Sequence, residues 1–172
     1  MTIVMTFIAL FASFLAFSVS YSKSFRVKDG IIERINKHNG FDNNSTLNTL
    51  DDIDAFLSQV NYSAKGNCNK IYEEYADAKD ASNYQVAGVT IGTSTNKTEI
   101  IKNKKHTKNY NYCVVKVKKA TGKTARADVP SAYYKVVVFF SLQIGNATFG
   151  ANLFKTSGET ATLYYPNDVI FK

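Results

Sequence analysis

The feature that most constrains this chain is a run without charge. From Thr2 to Ser22 there is no Asp, Glu, Lys or Arg, and Phe7, Phe11, Phe14 and Phe17 recur at helical spacing. A helix of about 20 residues rises roughly 30 Å, the thickness of a bilayer's hydrocarbon core. A removable secretion signal would have a shorter apolar stretch, basic residues before it and a small-residue cleavage site after it. Here no Lys or Arg precedes the run, and Ser20, Tyr21 and Ser22 lead straight into Lys23. The run is read as a retained, single-pass transmembrane anchor.

The helical pattern continues beyond the apolar run. Val27, Ile31 and Ile35 share one face, Ile32 widens it, and Glu33 and Lys37 form an i, i+4 pair in the better orientation. Asn39-Gly40 reads as a C-terminal stop, with Gly40 suited to the left-handed position. Asp29-Gly30 argues for a turn, because glycine inside a helix costs about 1 kcal/mol. The expectation is one long helix over residues 2–39, bent near Gly30, its first half in lipid and its second half against a domain. With 172 residues the chain has room for an anchor and one domain, read as 1–40 and 41–172.

In the domain, Thr49 is the expected N-cap of a short helix over residues 51–59. Asp51, Asp52 and Asp54 lie near its positive end, and Ile53, Phe56 and Leu57 form its buried stripe. A second short helix is expected over residues 69–81. The period then changes to two, giving strands at 84–91, 98–102, 110–118, 133–144 and 151–164, the last broken at Gly158. Cys113, Val115 and Val117 share a face of the third strand, and Lys116 and Lys118 are assigned to solvent. Tyr134, Val136, Val138, Phe140, Leu142 and Ile144 make the longest apolar face, which should be central, with Lys135, Ser141 and Gln143 opposite. The fold class is α+β: a long N-terminal helix, then an antiparallel sheet with short helices packed on one face.

Few constellations carry chemistry. Cys68 and Cys113 belong to no CxxC pair, and His38 and His106 are not spaced with them as metal ligands. They are either two buried thiols or, the expected arrangement, a disulfide from the helical half to the sheet, stabilising by roughly 4 kcal/mol. The histidines have no nucleophile motif near them, the three aspartates lack the spacing and glycine of a calcium loop, and Ala120–Thr124 lacks the leading glycine of a phosphate loop. The chain is therefore not read as an enzyme, and no cofactor or metal is expected. Asn-x-Ser/Thr sequons occur at Asn43, Asn44, Asn61, Asn96 and Asn146, at the rate an Asn-rich chain produces by chance.

Charge is 21 Lys+Arg against 14 Asp+Glu, a net +7. No acidic residue falls between Glu99 and Asp128, a window holding Lys102, Lys104, Lys105, Lys108, Lys116, Lys118, Lys119, Lys123 and Arg126, with Tyr110 and Tyr112 among them. Such a segment is a candidate patch for an anionic polymer; the plainer reading is a lysine-protected hairpin edge. Nucleic acid is not the expected partner.

Lys23, Arg26 and Lys28 follow the anchor, which by the positive-inside rule alone would keep the domain in the cytoplasm. The cysteines suit an oxidising compartment, and an upstream basic region lost with a leader or a late start would remove the conflict. The domain is expected outside the cytoplasm.

The uncharged helix running into SFRVKDGIIERINKHNG, the separated cysteines, YYKVVVFFSLQI and the closing SGETATLYY resemble the TadE-like, pilin-related membrane proteins of Gram-positive bacteria. The N-terminal helix and Gly158, Glu159 and Thr160 weigh most. The resemblance implies a pilin-like fold and an outward-facing minor subunit or assembly factor of a Tad-type pilus, with other pilin-like subunits as partners. Small and hydroxyl residues at Thr6, Ala9, Ala12, Ser13 and Ala16 would let such helices approach closely.

Overall fold

In the computed structural model one helix, α1 (Thr2–Lys37), carries the chain from the apolar run into the domain. Residues 2–42, 48–76, 81–92, 97–103, 105, 107–119, 129–144, 147–168 and 171 are described. α1 stops through a Schellman arrangement: Asn39 takes the left-handed conformation (φ 52°) and Gly40 follows at φ 137°. The Gly40 amide donates to the Ile35 carbonyl at 3.0 Å and the Asn39 amide to Asn36 at 3.2 Å, so the orphan carbonyls of the last turn are used. The left-handed residue is thus Asn39, not Gly40. At Gly30 the helix is continuous. A Cβ there would sit 2.4 Å from Cζ of Phe56, so close packing of a neighbouring ring, and not a turn, explains the glycine.

That ring belongs to α2 (Thr49–Gln59), whose cap differs from expectation. Asn48 is the N-cap, its Oδ1 accepting from the Asp51 amide at 2.8 Å. Thr49 is already helical, and its hydroxyl donates to the Gly40 carbonyl at 2.9 Å, tying α2 to the turn after α1. α3 spans Asn69–Ala76, and a 3₁₀ turn (Ala81–Asn83) leads into β1.

The strands are β1 (Tyr84–Thr90), β2 (Lys97–Ile100), β3 (Tyr112–Lys118), β4 (Ser131–Ile144), β5 (Ala147–Glu159) and β6 (Leu163–Tyr164). They form a six-stranded antiparallel sheet in the order β2-β1-β3-β4-β5, with β6 paired to the start of β4. The α+β architecture is the one expected, but the short helices do not share one face: α2 and α3 lie on opposite sides of the sheet. Within it, α1 and α2 cover the face bearing Ala87, Val114 and Val136, while Ile71 of α3 and Cys68 cover the face bearing Val86, Val115 and Val137.

Two-sided cover overturns one strand assignment. Lys116 lies on the face of Val114 and Tyr112, under the helices, and is buried together with them. Alternation shows that two faces differ, but not which of them another element will cover. Lys118, at the strand end, is exposed as expected.

The expected final strand is also divided differently. β5 runs through Gly158 and ends after Glu159, where Thr160 keeps half of a ladder pair: its amide donates to the Tyr134 carbonyl at 2.9 Å, while its Oγ1 accepts from the Tyr134 amide at 2.9 Å. Gly158 serves packing, since a Cβ there would lie 2.9 Å from Ile32 and from Lys28 of α1. One ladder turn after another, the β4–β5 hairpin follows α1 back toward its N-terminus. Val136 pairs with Gly158 beneath Lys28, and Phe140 pairs with Phe154 beside Phe17.

Candidate functional site: the junction of anchor and domain

α1 changes character along its length. Ile3, Phe7, Leu10 and Phe14 are 83%, 71%, 70% and 65% exposed, and the first buried residue of the helix is Ser24. The helix is long and apolar enough to cross a membrane, and its apolar stretch has no buried residue. Two hydroxyls in that stretch are satisfied by the helix itself. Thr6 Oγ1 donates to the Ile3 carbonyl at 2.8 Å and Ser13 Oγ to the Ala9 carbonyl at 2.8 Å, as an apolar solvent requires.

The five small residues do not lie on a single free stripe. Thr6, Ala9 and Ala12 are exposed, whereas Ser13 and Ala16 are half-buried. Ala16 lines a crevice against Phe140 of β4. Nearby, the Phe17 ring packs edge-on against Phe140 and Phe154 with centroids 5.8 and 5.6 Å apart, and Tyr21 against Phe140 at 5.9 Å. An aromatic cluster therefore seats the helix on the hairpin where the apolar half leaves the domain.

Immediately past this cluster come the first cations. Lys23 donates to the Asn61 carbonyl at 2.9 Å. Lys28 is buried, its ammonium 3.5 Å from the Phe25 ring centroid and 2.9 Å from Oδ1 of Asp29. At the far end of α1, Asp52 of α2 gathers three groups: Arg34 Nε at 3.3 Å, Lys37 at 3.2 Å and His38 Nε2 at 3.0 Å. The hydrogen bond from His38, then those cations, hold the Asp52 carboxyl below its usual range despite partial burial. Its place suits both dipoles, an anion in the first turn of α2 facing cations in the last turn of α1.

The basic segment is not one patch. Lys108 pairs with Glu99, which also accepts from the Tyr110 hydroxyl at 2.9 Å. Lys116 pairs with Asp168 at 2.5 Å in the core, where Tyr134 donates to the same carboxylate at 2.5 Å and the Phe41 amide donates at 2.9 Å. Burial, and then the bond to Asp168, push the Tyr134 hydroxyl well above its ordinary value. A buried charge pair with its remaining lone pairs filled ties the C-terminal segment into the helix-covered core. Lys102, Lys105, Lys118 and Lys119 are exposed, and Lys104, Lys123 and Arg126 lie outside the described residues.

Cys68 and Cys113 form a disulfide, Cα atoms 6.1 Å apart, joining the residue before α3 to the central strand β3. Its surroundings, Ile71, Val115 and Val137, are buried and apolar. His38 is engaged by Asp52, and His106, Asn43, Asn44, Asn96 and Asn146 lie outside the described residues. Among the described residues, no group of three or more His, Cys, Asp and Glu could hold a metal ion.

A further signal lies in the charge pattern of the sheet. Between Lys135 and Lys155 there is no charged residue, a second uncharged run that the fold sets beside the first. Each strand taken alone looks like ordinary core, so only the chain-wide charge pattern would have marked it. Compared with protein-family models, with curated proteins and with solved structures, the chain matches none.

Proposed function

We propose that this chain is a pilin-like structural or assembly subunit of a cell-surface pilus or secretion filament, held by α1 in the membrane with its α+β domain outside the cytoplasm. The observation that carries the reading is the division of α1. Its first turns, from Thr2 to Ala12, are apolar and exposed, while Val27, Ile31 and Ile35 of its second half are core residues of the domain. A helix built in this way can pack against copies of itself through its small residues while its second half holds the head domain rigidly. The disulfide supports the outward placement, since such bonds persist in oxidising compartments.

The test replaces residues 2–22 by an unrelated transmembrane helix of equal length. Insertion asks only for about 20 apolar residues and should survive. Assembly asks for a particular helix face, so recovery of the crosslinked protein with other filament components should be lost. Undiminished recovery would make the helix a mere tether. In that event a membrane-anchored domain binding an anionic polymer would lead, a reading favoured by exposed Lys102, Lys105, Lys118 and Lys119.

A further inference from the structure

A crevice of about 730 Å³ opens where the apolar half of α1 meets the domain. One wall is α1, which presents Leu15, Val19 and Lys23 in that order from the apolar end. The other is formed by Phe140 and Ser141 of β4 and by the segment carrying Ser63 and Lys65. Among the described residues, two cations line it and no carboxylate does. Lys23 places one of its three N–H donors on the Asn61 carbonyl, which leaves two for an anion.

We infer that this crevice binds the phosphate headgroup of an anionic phospholipid, with an acyl chain laid along Leu15 and Val19. The inference rests on the membrane placement proposed above. Volume and lining are those of a ligand site, apolar at one end with a few polar groups at the other. The occupant follows from continuity. The same helix that lines the crevice continues as an exposed apolar rod, so the crevice opens at the depth where headgroups lie. Its two lysines, which form no ion pair among the described residues, match a phosphodiester carrying net negative charge and give a zwitterionic lipid no such advantage.

The full chain, reconstituted in nanodiscs of phosphatidylcholine with a minor fraction of phosphatidylglycerol, is released into the gas phase and its retained lipids are identified by native mass spectrometry. Phosphatidylglycerol should be retained in excess of its share of the disc. Lys23→Gln with Lys65→Gln should reduce that excess by about fivefold per lysine, whereas Lys118→Gln with Lys119→Gln should leave it unchanged. Both pairs are surface changes that leave folding intact, checked by circular dichroism. Equal retention of both lipids, or an excess unaffected by the Lys23 and Lys65 changes, overturns the inference. Loss of the retained lipid to millimolar inorganic phosphate would mark a site for free anions and overturns the lipid assignment. Failure of the protein to enter nanodiscs at all would instead overturn the membrane placement.

Discussion

On the face of the sheet that carries Ala87, Val114 and Val136, the cover is the long helix α1, through Val27, Ile31 and Ile35, with Ile53 and Leu57 of the shorter α2 packed beside it. On the opposite face, Val86, Val115 and Val137 lie under Ile71 of α3, Cys68 and the flanking Tyr72 and Tyr75. α1 has 36 residues and α3 has eight. Isolated helices below about 12–15 residues are marginal in water, so α3 cannot bring its own order to the interface. A covalent bond supplies there what helix length supplies on the other side. The helix-covered face holds its charge pair, Lys116 with Asp168, inside a dense noncovalent core.

Removing the covalent bond tests this difference most severely. Replacing Cys68 and Cys113 by serine should lower domain stability by about 4 kcal/mol in the chain-entropy model. Amides of α3 and its approach should then exchange with solvent well before those of α2 and the second half of α1. Denaturant titration followed by hydrogen exchange reads both effects, and a loss of protection spread evenly over the two faces breaks the comparison.

A smaller effect separates the halves of α1. Ile31→Ala removes a fully buried side chain from the helix-covered core and should cost about 3 kcal/mol. Ile8→Ala, on the same helix where the side chain is 57% exposed, should change domain stability by less than about 0.5 kcal/mol. Equal losses in thermal melts would mean that the apolar half is part of the packed domain.

The smallest effect concerns charge at the α1–α2 corner. The folded Asp52 carboxyl is held below the ordinary value of 3.8, so its contribution is fully present above that value and is lost as pH falls through the folded one. Asp52→Asn should therefore be less stable than the parent at neutral pH, by no more than about 1 kcal/mol, with the gap closing below about pH 4. A gap that persisted to pH 2 would show that packing at this corner, and not ionisation, is what the substitution disturbs.

Much of this architecture is legible one element at a time. Residues 2–22 lack charge and Val27, Ile31 and Ile35 recur by helical period, so the anchor and its continuation follow from local rules, as do the two-residue alternation of β3 and β4. The Asn39-Gly40 stop was readable to within a residue, because which of two permissive residues turns left-handed depends on the chain that follows. Asn48 was missed as a cap because Asn48 and Thr49 are both good caps, and the hydroxyl of Thr49 is claimed by the Gly40 carbonyl, a partner nine residues away.

Composition and period alone determine an uncharged span long enough for a bilayer, a helix that outlasts it, and a β-rich domain containing two cysteines. Tertiary structure decides that Lys116 goes inward to Asp168, that Gly30 and Gly158 are shaped by a ring and by the flank of α1, and that Cys68 meets Cys113. It also brings the uncharged stretch around Phe140 against the uncharged stretch around Phe17, which makes the crevice between them. The physical reason is range. Solvation of a continuous run and the period of a helix act between near neighbours in sequence, whereas the cover of a sheet face, the partner of a buried charge and the closure of a disulfide exist only once distant segments have met.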